Sequence, residues 1–307
     1  MAIYDCFTFF NEIDLLRIRL NVLAPFVDKF IIVELPKTFR GDDKELVFAK
    51  NKQMFSKYLN KIIYITEDYV PDYLGDGSFN IEHYQRNLIL KGLEQCKPDD
   101  IIIISDIDEI PDMGALHNMI CLKYRRSGRK MTQCIKTLMY EFALNNKDLV
   151  KDMIKGKKKN CLDWLDITPI ALEQSLFYYY MNCRSKELWY GPVITMYKNM
   201  ELPQRLRDKR NLLPFIESAG WHFSYLGGVT SVKSKLRSIV DKNPDIVAKL
   251  DTCSKDEAYI EECLKNGTDI LGRKGKQFEY EFIDFTMVGL PGINEIKKEY
   301  ANLFMDY

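Results

Sequence analysis

The stretch Ile101-Ile102-Ile103-Ile104-Ser105-Asp106-Ile107-Asp108-Glu109-Ile110-Pro111 decides how the rest of the chain is read. Four isoleucines in a row leave no polar face, so they read as a strand buried on both sides, as in a parallel sheet. Pro111 has no amide hydrogen to give a ladder and is expected to end it. Asp106 and Asp108 then stand at the carboxyl end of such a strand, where open α/β sheets bind ligands. If strand geometry persists that far, the two carboxylates point the same way and Ile107 points inward. Paired carboxylates at a cleft mouth repel each other and favour a hard divalent cation, shared with a substrate's phosphates. A solvated acidic turn after a core strand is the competing reading.

Working outward, the first third of the chain alternates strand and helix. Ile3 to Phe9, Phe30 to Val33 and Ile62 to Ile65 read as strands. Between them lie helical patterns: Ile13, Leu16, Leu20 and Leu23 at helical spacing, then Leu46 to Leu59, then about Ile81 to Cys96. Such alternation predicts an α/β fold, with a mostly parallel, doubly wound central sheet flanked by helices. After Pro111 a helix is expected from about Met113 to Tyr124. Strands then follow at Gln133 to Phe142, Ser175 to Cys183 and Pro192 to Tyr197, a mixed second half. Val232 to Asp241 and Asp256 to Lys265 read as helices, and Lys155 to Asn160 as an exposed basic loop. The expected division is a ligand-binding half over 1–130 and a site-completing half of the same domain over 131–307.

Composition sets limits on partners. Lys plus Arg and Asp plus Glu balance at 44 each in 307 residues, so no global field recruits nucleic acid or an anionic membrane. Phosphate recognition must be local. No stretch approaches the roughly 20 apolar residues that span a bilayer, and Met1-Ala2-Ile3-Tyr4-Asp5 carries no export signal. The expectation is a cytoplasmic protein whose eight scattered cysteines stay reduced, mostly as core thiols. On that expectation the sequon Asn266-Gly267-Thr268 goes unused. No Gly-x-Gly-x-x-Gly and no Walker loop follows the early strands, which argues against a dinucleotide cofactor or a P-loop.

Asp-x-Asp after a buried strand is shared by haloacid-dehalogenase phosphatases and by nucleotide-sugar glycosyltransferases of the A-type fold. The former carry it on the first strand and follow it closely with Thr. Here three strands precede it and Glu109-Ile110-Pro111 follows, an order that fits the glycosyltransferases better. The segments Tyr4-Asp5-Cys6-Phe7-Thr8-Phe9-Phe10-Asn11-Glu12, Val33-Glu34 with Thr38-Phe39 and Gly41, and Asp99-Asp100-Ile101 through Pro111 resemble glycosyltransferase family 17. So do Trp189-Tyr190-Gly191-Pro192 and Gly220-Trp221-His222-Phe223-Ser224-Tyr225.

That resemblance implies an A-type, Rossmann-like fold. It also implies a metal-dependent, inverting β-1,4-N-acetylglucosaminyltransferase-like activity, moving N-acetylglucosamine from a UDP-sugar donor to a glycan acceptor. Asp106, Asp108 and His222 would hold manganese or another divalent cation, with Asp106 instead free to hold the ribose; imidazole favours manganese over magnesium. A core histidine is the alternative for His222. Phe7, Thr8 and Glu34 are the expected nucleotide contacts, although Phe7 and Phe9 also suit a core. Arg86 shares a helix face with His83 and Asn87, and would contact the diphosphate or tie down the Asp-x-Asp carboxylates. Arg205, Arg207 and Arg210 would cover the diphosphate from a closing loop, against the alternative of a solvated basic turn. Gly227-Gly228 would let the loop beside His222 close on the donor. Inversion needs a carboxylate base, for which Glu187, Glu217 and Asp166 are candidates, and Trp189, Tyr190 and Trp221 are candidates to stack on a sugar ring. The rival readings are a metal-dependent phosphohydrolase and a non-catalytic glycan-binding protein.

Overall fold

A computed structural model of the chain describes residues 1–75, 77–117, 123–124, 165 and 168–306. Strand β1 (Ile3–Thr8) leads through α1 (Ile13–Leu23) to β2 (Lys29–Val33). The chain continues through α2 (Val47–Asn51) and a 3-10 segment (Lys52–Tyr58) to β3 (Ile62–Ile65). Helices α3 (Asn80–Asn87) and α4 (Ile89–Gly92) then return it to β4 (Ile101–Asp106). These four strands are mutually parallel in the order β3-β2-β1-β4.

Side-chain alternation explains why the early strands carry so few polar residues. In β4, Ile101 and Ile103 enter the core on one face of the sheet, while Ile102 and Ile104 enter the core on the other. Strand β2 does the same with Phe30 and Ile32 against Ile31 and Val33. Burying each such side chain stabilises the fold by roughly 1.5–3 kcal/mol. The sheet is therefore covered on both sides.

The chain runs outward from β1 to β3 and then reappears on the opposite side of β1 as β4. The order reverses between β1 and β4, which opens a crevice at their carboxyl ends, where Thr8 pairs with Asp106. Everything that follows β4 builds around that point. Residues 107–108 turn the chain, and β5 (Glu109–Pro111) pairs antiparallel with a strand from far along the sequence. Pro111 is the last residue of β5, opposite Gly220, and no strand continues past it, as expected; β5 is an edge strand, where a missing amide hydrogen costs little.

Helix α5 (Met113–His117) follows, and Lys123–Tyr124 form the short strand β6, which replaces the end of the helix expected to reach Tyr124. The expected strand at 133–142, the basic loop at 155–160 and the boundary near residue 130 lie outside the described residues. Strands β7 (Ile170–Tyr178) and β8 (Cys183–Met196) run antiparallel, and β8 pairs antiparallel with β4. The strand expected over Pro192 to Tyr197 is the end of β8.

Helix α6 (Pro203–Lys209) occupies the segment read as a basic loop or turn. After β9 (Pro214–Ile216) comes β10 (Gly220–Ser224), parallel to β7 and antiparallel to β5. Helices α7 (Gly228–Ser238), α8 (Pro244–Cys253) and α9 (Glu257–Asn266) pack over a third core around Leu176, Tyr178 and Tyr225. Strand β11 (Tyr280–Phe282) pairs with β8, and α10 (Ile293–Glu299) lies near the end. The described strands thus form one sheet, mostly parallel in the first half and mixed in the second, as the sequence led us to expect.

One buried cation ties α1, β1 and the turn after β4 together. Arg19 on α1 is fully buried, with its guanidinium 4.3 Å above the Phe7 ring. It donates to both Asp5 oxygens (2.8 and 2.6 Å) and to Ser105 Oγ (2.6 Å). It also donates to the carbonyls of Asp106, Ile107 and Glu109 (2.9, 3.1 and 2.9 Å). Those carbonyls belong to the acidic turn, so its backbone is held from beneath by a charge that cannot reach water. Replacing Arg19 with Met should leave Asp5 buried without its partner and cost about 3–5 kcal/mol in a urea titration. Arg19→Lys should recover only part of that, because an ammonium lacks the planar fork. A loss below about 1 kcal/mol for Arg19→Met would show that the turn holds itself.

Candidate active site

The crevice is built from the turn after β4, the helices α3, α6 and α7, and the strands β1 and β10. The turn after β4 supplies Asp106, Asp108 and Glu109. Glu109 is fully buried, and one of its oxygens accepts from the Asp106 amide at 2.8 Å. The same carboxylate accepts from Arg207 (2.8 and 3.0 Å) and from Trp189 Nε1 (2.6 Å). Gly191 is required beside it. A Cβ there would fall 1.9 Å from Glu109 Oε1 and 2.1 Å from Trp189 Nε1, closer than atoms can approach.

Asp106 is gripped by two guanidinium groups. Arg86 from α3 donates to Oδ1 at 2.9 Å and Arg207 from α6 to Oδ2 at 2.7 Å, while Thr8 Oγ1 donates to Oδ1 at 3.3 Å. Burial alone would raise the Asp106 pKa, but Arg86 and then Arg207 hold it far below the usual carboxylate range. The side chain keeps 31% of its surface exposed, toward the crevice. Arg86 is also held by Glu82 (2.9 Å) and by Gln204, and Asn87 accepts from the Gln204 amide at 3.0 Å, so α3 and α6 are laced together across the site.

Asp108 belongs to a second cluster. Lys235 from α7 donates to its Oδ2 at 2.9 Å, and His222 Nε2 from β10 lies 3.5 Å from that oxygen. Burial opposes ionisation of Asp108, yet Lys235 and His222 hold its pKa well below the ordinary value. Burial would likewise lower the Lys235 pKa, but Asp108 and then Glu12 push it up. Trp189 packs against the His222 ring, centroids 4.9 Å apart, and fixes its plane.

The expected ligands can be tested for a divalent cation. Two atoms each about 2.1 Å from a metal sit about 3 Å apart at a right angle. Asp108 Oδ2 and His222 Nε2 are separated by 3.5 Å, long for a hydrogen bond and suited to convergence on a shared ion. Asp106 differs from expectation, since both its oxygens are taken by arginines. Among the described residues no group of three His, Cys, Asp or Glu side chains forms a complete metal cage. An ion held by two protein atoms, with phosphates and water supplying the rest, requires no such cage. The residues fit on those terms, with Lys235 competing for the same carboxylate oxygen.

The other expected residues fall in three groups. Thr8 lines the crevice beside Asp106. Phe7 is fully buried in the core under Arg19 and offers no face to a base, and Trp221 is buried with its Nε1 donating to Val288 O at 2.7 Å. Glu34 is also buried, and its carboxylate is spent on the fold. It accepts from the Val47 and Phe48 amides that begin α2 (2.6 and 3.1 Å), from Lys44 (3.0 Å) and from Tyr64 (2.9 Å).

Of the basic segment, Arg207 points inward and Arg205 outward, beside Glu201 at 3.8 Å. Arg210 is half-buried near Trp189 and donates to the Arg207 carbonyl; burial and the Arg207 charge lower its pKa. Glu187 on β8 and Glu217 before β10 are exposed and line neither cavity at the site. Asp166 lies outside the described residues. Tyr190 is committed to Glu173 at 2.6 Å. Gly227 and Gly228, with φ of 101° and 73°, turn the chain from β10 into α7.

Two cavities meet at Asp108. One, about 270 Å³, runs past Thr8, Asp106 and Arg86 to Thr38, Phe39 and Phe10. The other, about 170 Å³, lies between the start of α1 and the β10–α7 turn. Lys235, Glu12, Phe10 and Phe39 were not singled out as site residues in the sequence. Phe10, Glu12 and Phe39 lie inside the segments that carried the family resemblance, whereas nothing in the pattern of α7 marks Lys235.

Residues 1–153 match the sequence model described as Glycosyltransferase family 17. The human protein named beta-1,4-mannosyl-glycoprotein 4-beta-N-acetylglucosaminyltransferase is 30% identical over 107 residues, covering 33% of this chain and 20% of that protein. Its Rattus norvegicus and Mus musculus counterparts match at 30% and 29% identity over the same shares. The chain thus spans about a fifth of the length of the curated relatives it matches. A solved structure titled as UDP-glucose pyrophosphorylase complexed with UDP-glucose aligns at a TM-score of 0.27 and 7% identity, over 72% of this chain and 92% of that one, too distant to carry an argument. The match over β1 to β4, the acidic turn included, shows that over residues 1–153 this chain belongs to glycosyltransferase family 17.

Proposed function

We propose that the crevice binds a nucleoside-diphosphate sugar, with UDP-N-acetylglucosamine as the donor, and that the chain transfers the sugar to a glycan hydroxyl with inversion. The observation that carries this reading is that Arg86 and Lys235 line one cavity with Asp106, Asp108 and His222 at the switch between β1 and β4, with Arg207 bracing Asp106 from behind. The family match supports it, since the relatives are named as N-acetylglucosaminyltransferases.

The roles follow from position. The nucleoside would lie in the 270 Å³ cavity, its base against Phe10 or Phe39, because Phe7 is sealed in the core. Asp106, held rigid by two arginines, would accept from a ribose hydroxyl. Asp108 and His222 would hold the divalent cation, which when bound neutralises the diphosphate leaving group as a Lewis acid. Lys235, displaced from Asp108, would then meet a phosphate oxygen with its ammonium. A phosphohydrolase reading needs a free carboxylate nucleophile, and Asp106 is poorly suited because both oxygens are already on guanidinium groups.

A ligand that binds only the native state raises the melting temperature. UDP-N-acetylglucosamine with manganese should therefore raise Tm, and EDTA or Asp108→Asn should remove most of the rise. A shift of equal size without any divalent cation would count against the bridging role. In a second measurement, His222→Ala should weaken manganese binding by about tenfold or more and narrow the preference for manganese over magnesium. Unchanged manganese affinity in that variant would return His222 to the core.

A further inference from the structure

Glycosyl transfer with inversion needs a carboxylate on the far side of the anomeric carbon from the leaving diphosphate. None of the bases expected from the sequence meets that need among the described residues, since Glu187 and Glu217 line neither cavity. The two cavities share a wall made of Glu12, Asp108, Tyr225 and Lys235. With the donor in the larger cavity, the smaller one opens on the opposite side of that wall. Its lining mixes apolar Phe223, Leu226 and Leu303 with polar Asn11 and Ser231, the combination that suits a sugar ring.

We infer that Glu12 is the general base of the transfer and that the smaller cavity takes the acceptor. This rests on the donor reading above. Two carboxylates stand in the shared wall, and Asp108 is already committed to Lys235 and His222. Glu12 is the other. It occupies the residue before α1 but does not cap the helix. Its side chain turns back instead, and Oε2 accepts from the Phe10 and Asn11 amides at 3.3 and 3.0 Å. That anchors the carboxylate at the junction and leaves Oε1 for a substrate hydroxyl.

The surroundings favour a proton acceptor. Burial raises the Glu12 pKa, against the opposing effect of Lys235, which suits a group that must take up a proton. Asp14 also lines the smaller cavity, but it is exposed and does not reach the shared wall. Tyr225, the fourth residue of that wall, sits at φ 58°, a left-handed conformation that side chains other than glycine adopt at a cost.

The step balances without another reactant. An acceptor hydroxyl gives its proton to Glu12 Oε1 and its oxygen bonds the anomeric carbon. The bond from that carbon to the β-phosphate oxygen breaks, and its electron pair leaves with the nucleoside diphosphate. Water in the smaller cavity is a usable probe, because it is activated by the same base.

The test measures UDP release from UDP-N-acetylglucosamine with manganese and water as acceptor, alongside thermal shift with the same donor. Glu12→Gln keeps an oxygen for the two amides. It should retain the donor-induced shift and the donor KM while kcat falls about 100- to 10,000-fold. In Glu12→Ala, added formate should restore part of the lost kcat, which refilling a merely structural position would not do. Glu187→Gln, at an exposed carboxylate that lines neither cavity, should stay within about threefold of the unaltered protein. Glu12→Gln turning over within threefold, loss of its donor-induced shift, or a collapse caused by Glu187→Gln instead would each overturn the assignment. If the unaltered protein neither shifts with nor cleaves any UDP-sugar, the donor reading fails and Glu12 loses its role with it.

Discussion

The structure depends on a charge placed where water cannot follow. Arg19 is fully buried, and an unpaired guanidinium there would cost more than most single interactions return. It is tolerated because its donors are taken by Asp5, Ser105 and three carbonyls of residues 106 to 109. The pairing has a geometric consequence. Helix α1, strand β1 and the turn after β4 are pinned to one point, so the acidic residues are presented by a backbone with little freedom. A preorganised site is what a charged, exchangeable ligand requires.

From that turn, charge alternates outward across the crevice. Glu109 and Asp106 hold Arg207, Asp106 holds Arg86, and Asp108 holds Lys235. Asp106 and Asp108 are kept ionised by their cations, and each cation is kept in place by its carboxylate. The cluster on Asp106 is closed on both oxygens and behaves as a rigid strut. The cluster on Asp108 is looser, because its histidine lies at 3.5 Å and its lysine reaches in on a flexible stem. That difference separates a part of the site that holds shape from a part that can exchange partners.

The parallel half of the fold was legible because its strands are buried on both faces, which writes itself directly into composition as Ile101 to Ile104 and Phe30 to Val33. The acidic turn was legible for the same reason, since two carboxylates after such a strand have few structural uses. Pro111 was legible as a stop, and β5 ends on it, whereas the pairing of β5 with β10, more than 100 residues later, was not. Glu34 looked like a ligand from its place at a strand end. Local need decided otherwise, for the unpaired amides that begin α2 claim its oxygens. Arg207 was recognisable as a cation but not as a buried one, because its partners sit 98 and 101 positions away. Lys235 and Glu12 meet only through the fold, and no spacing along the chain announces it.

The central claim is that the Asp108–His222 pair, set on the Arg19-braced turn, receives a cation together with a diphosphate. Anomalous diffraction from crystals grown with manganese and UDP tests it directly. The account predicts a manganese peak between Asp108 and His222, with both phosphorus atoms beside it and Lys235 withdrawn from the carboxylate. A diphosphate bound elsewhere, or bound there with Lys235 still on Asp108 and no manganese peak, would contradict it.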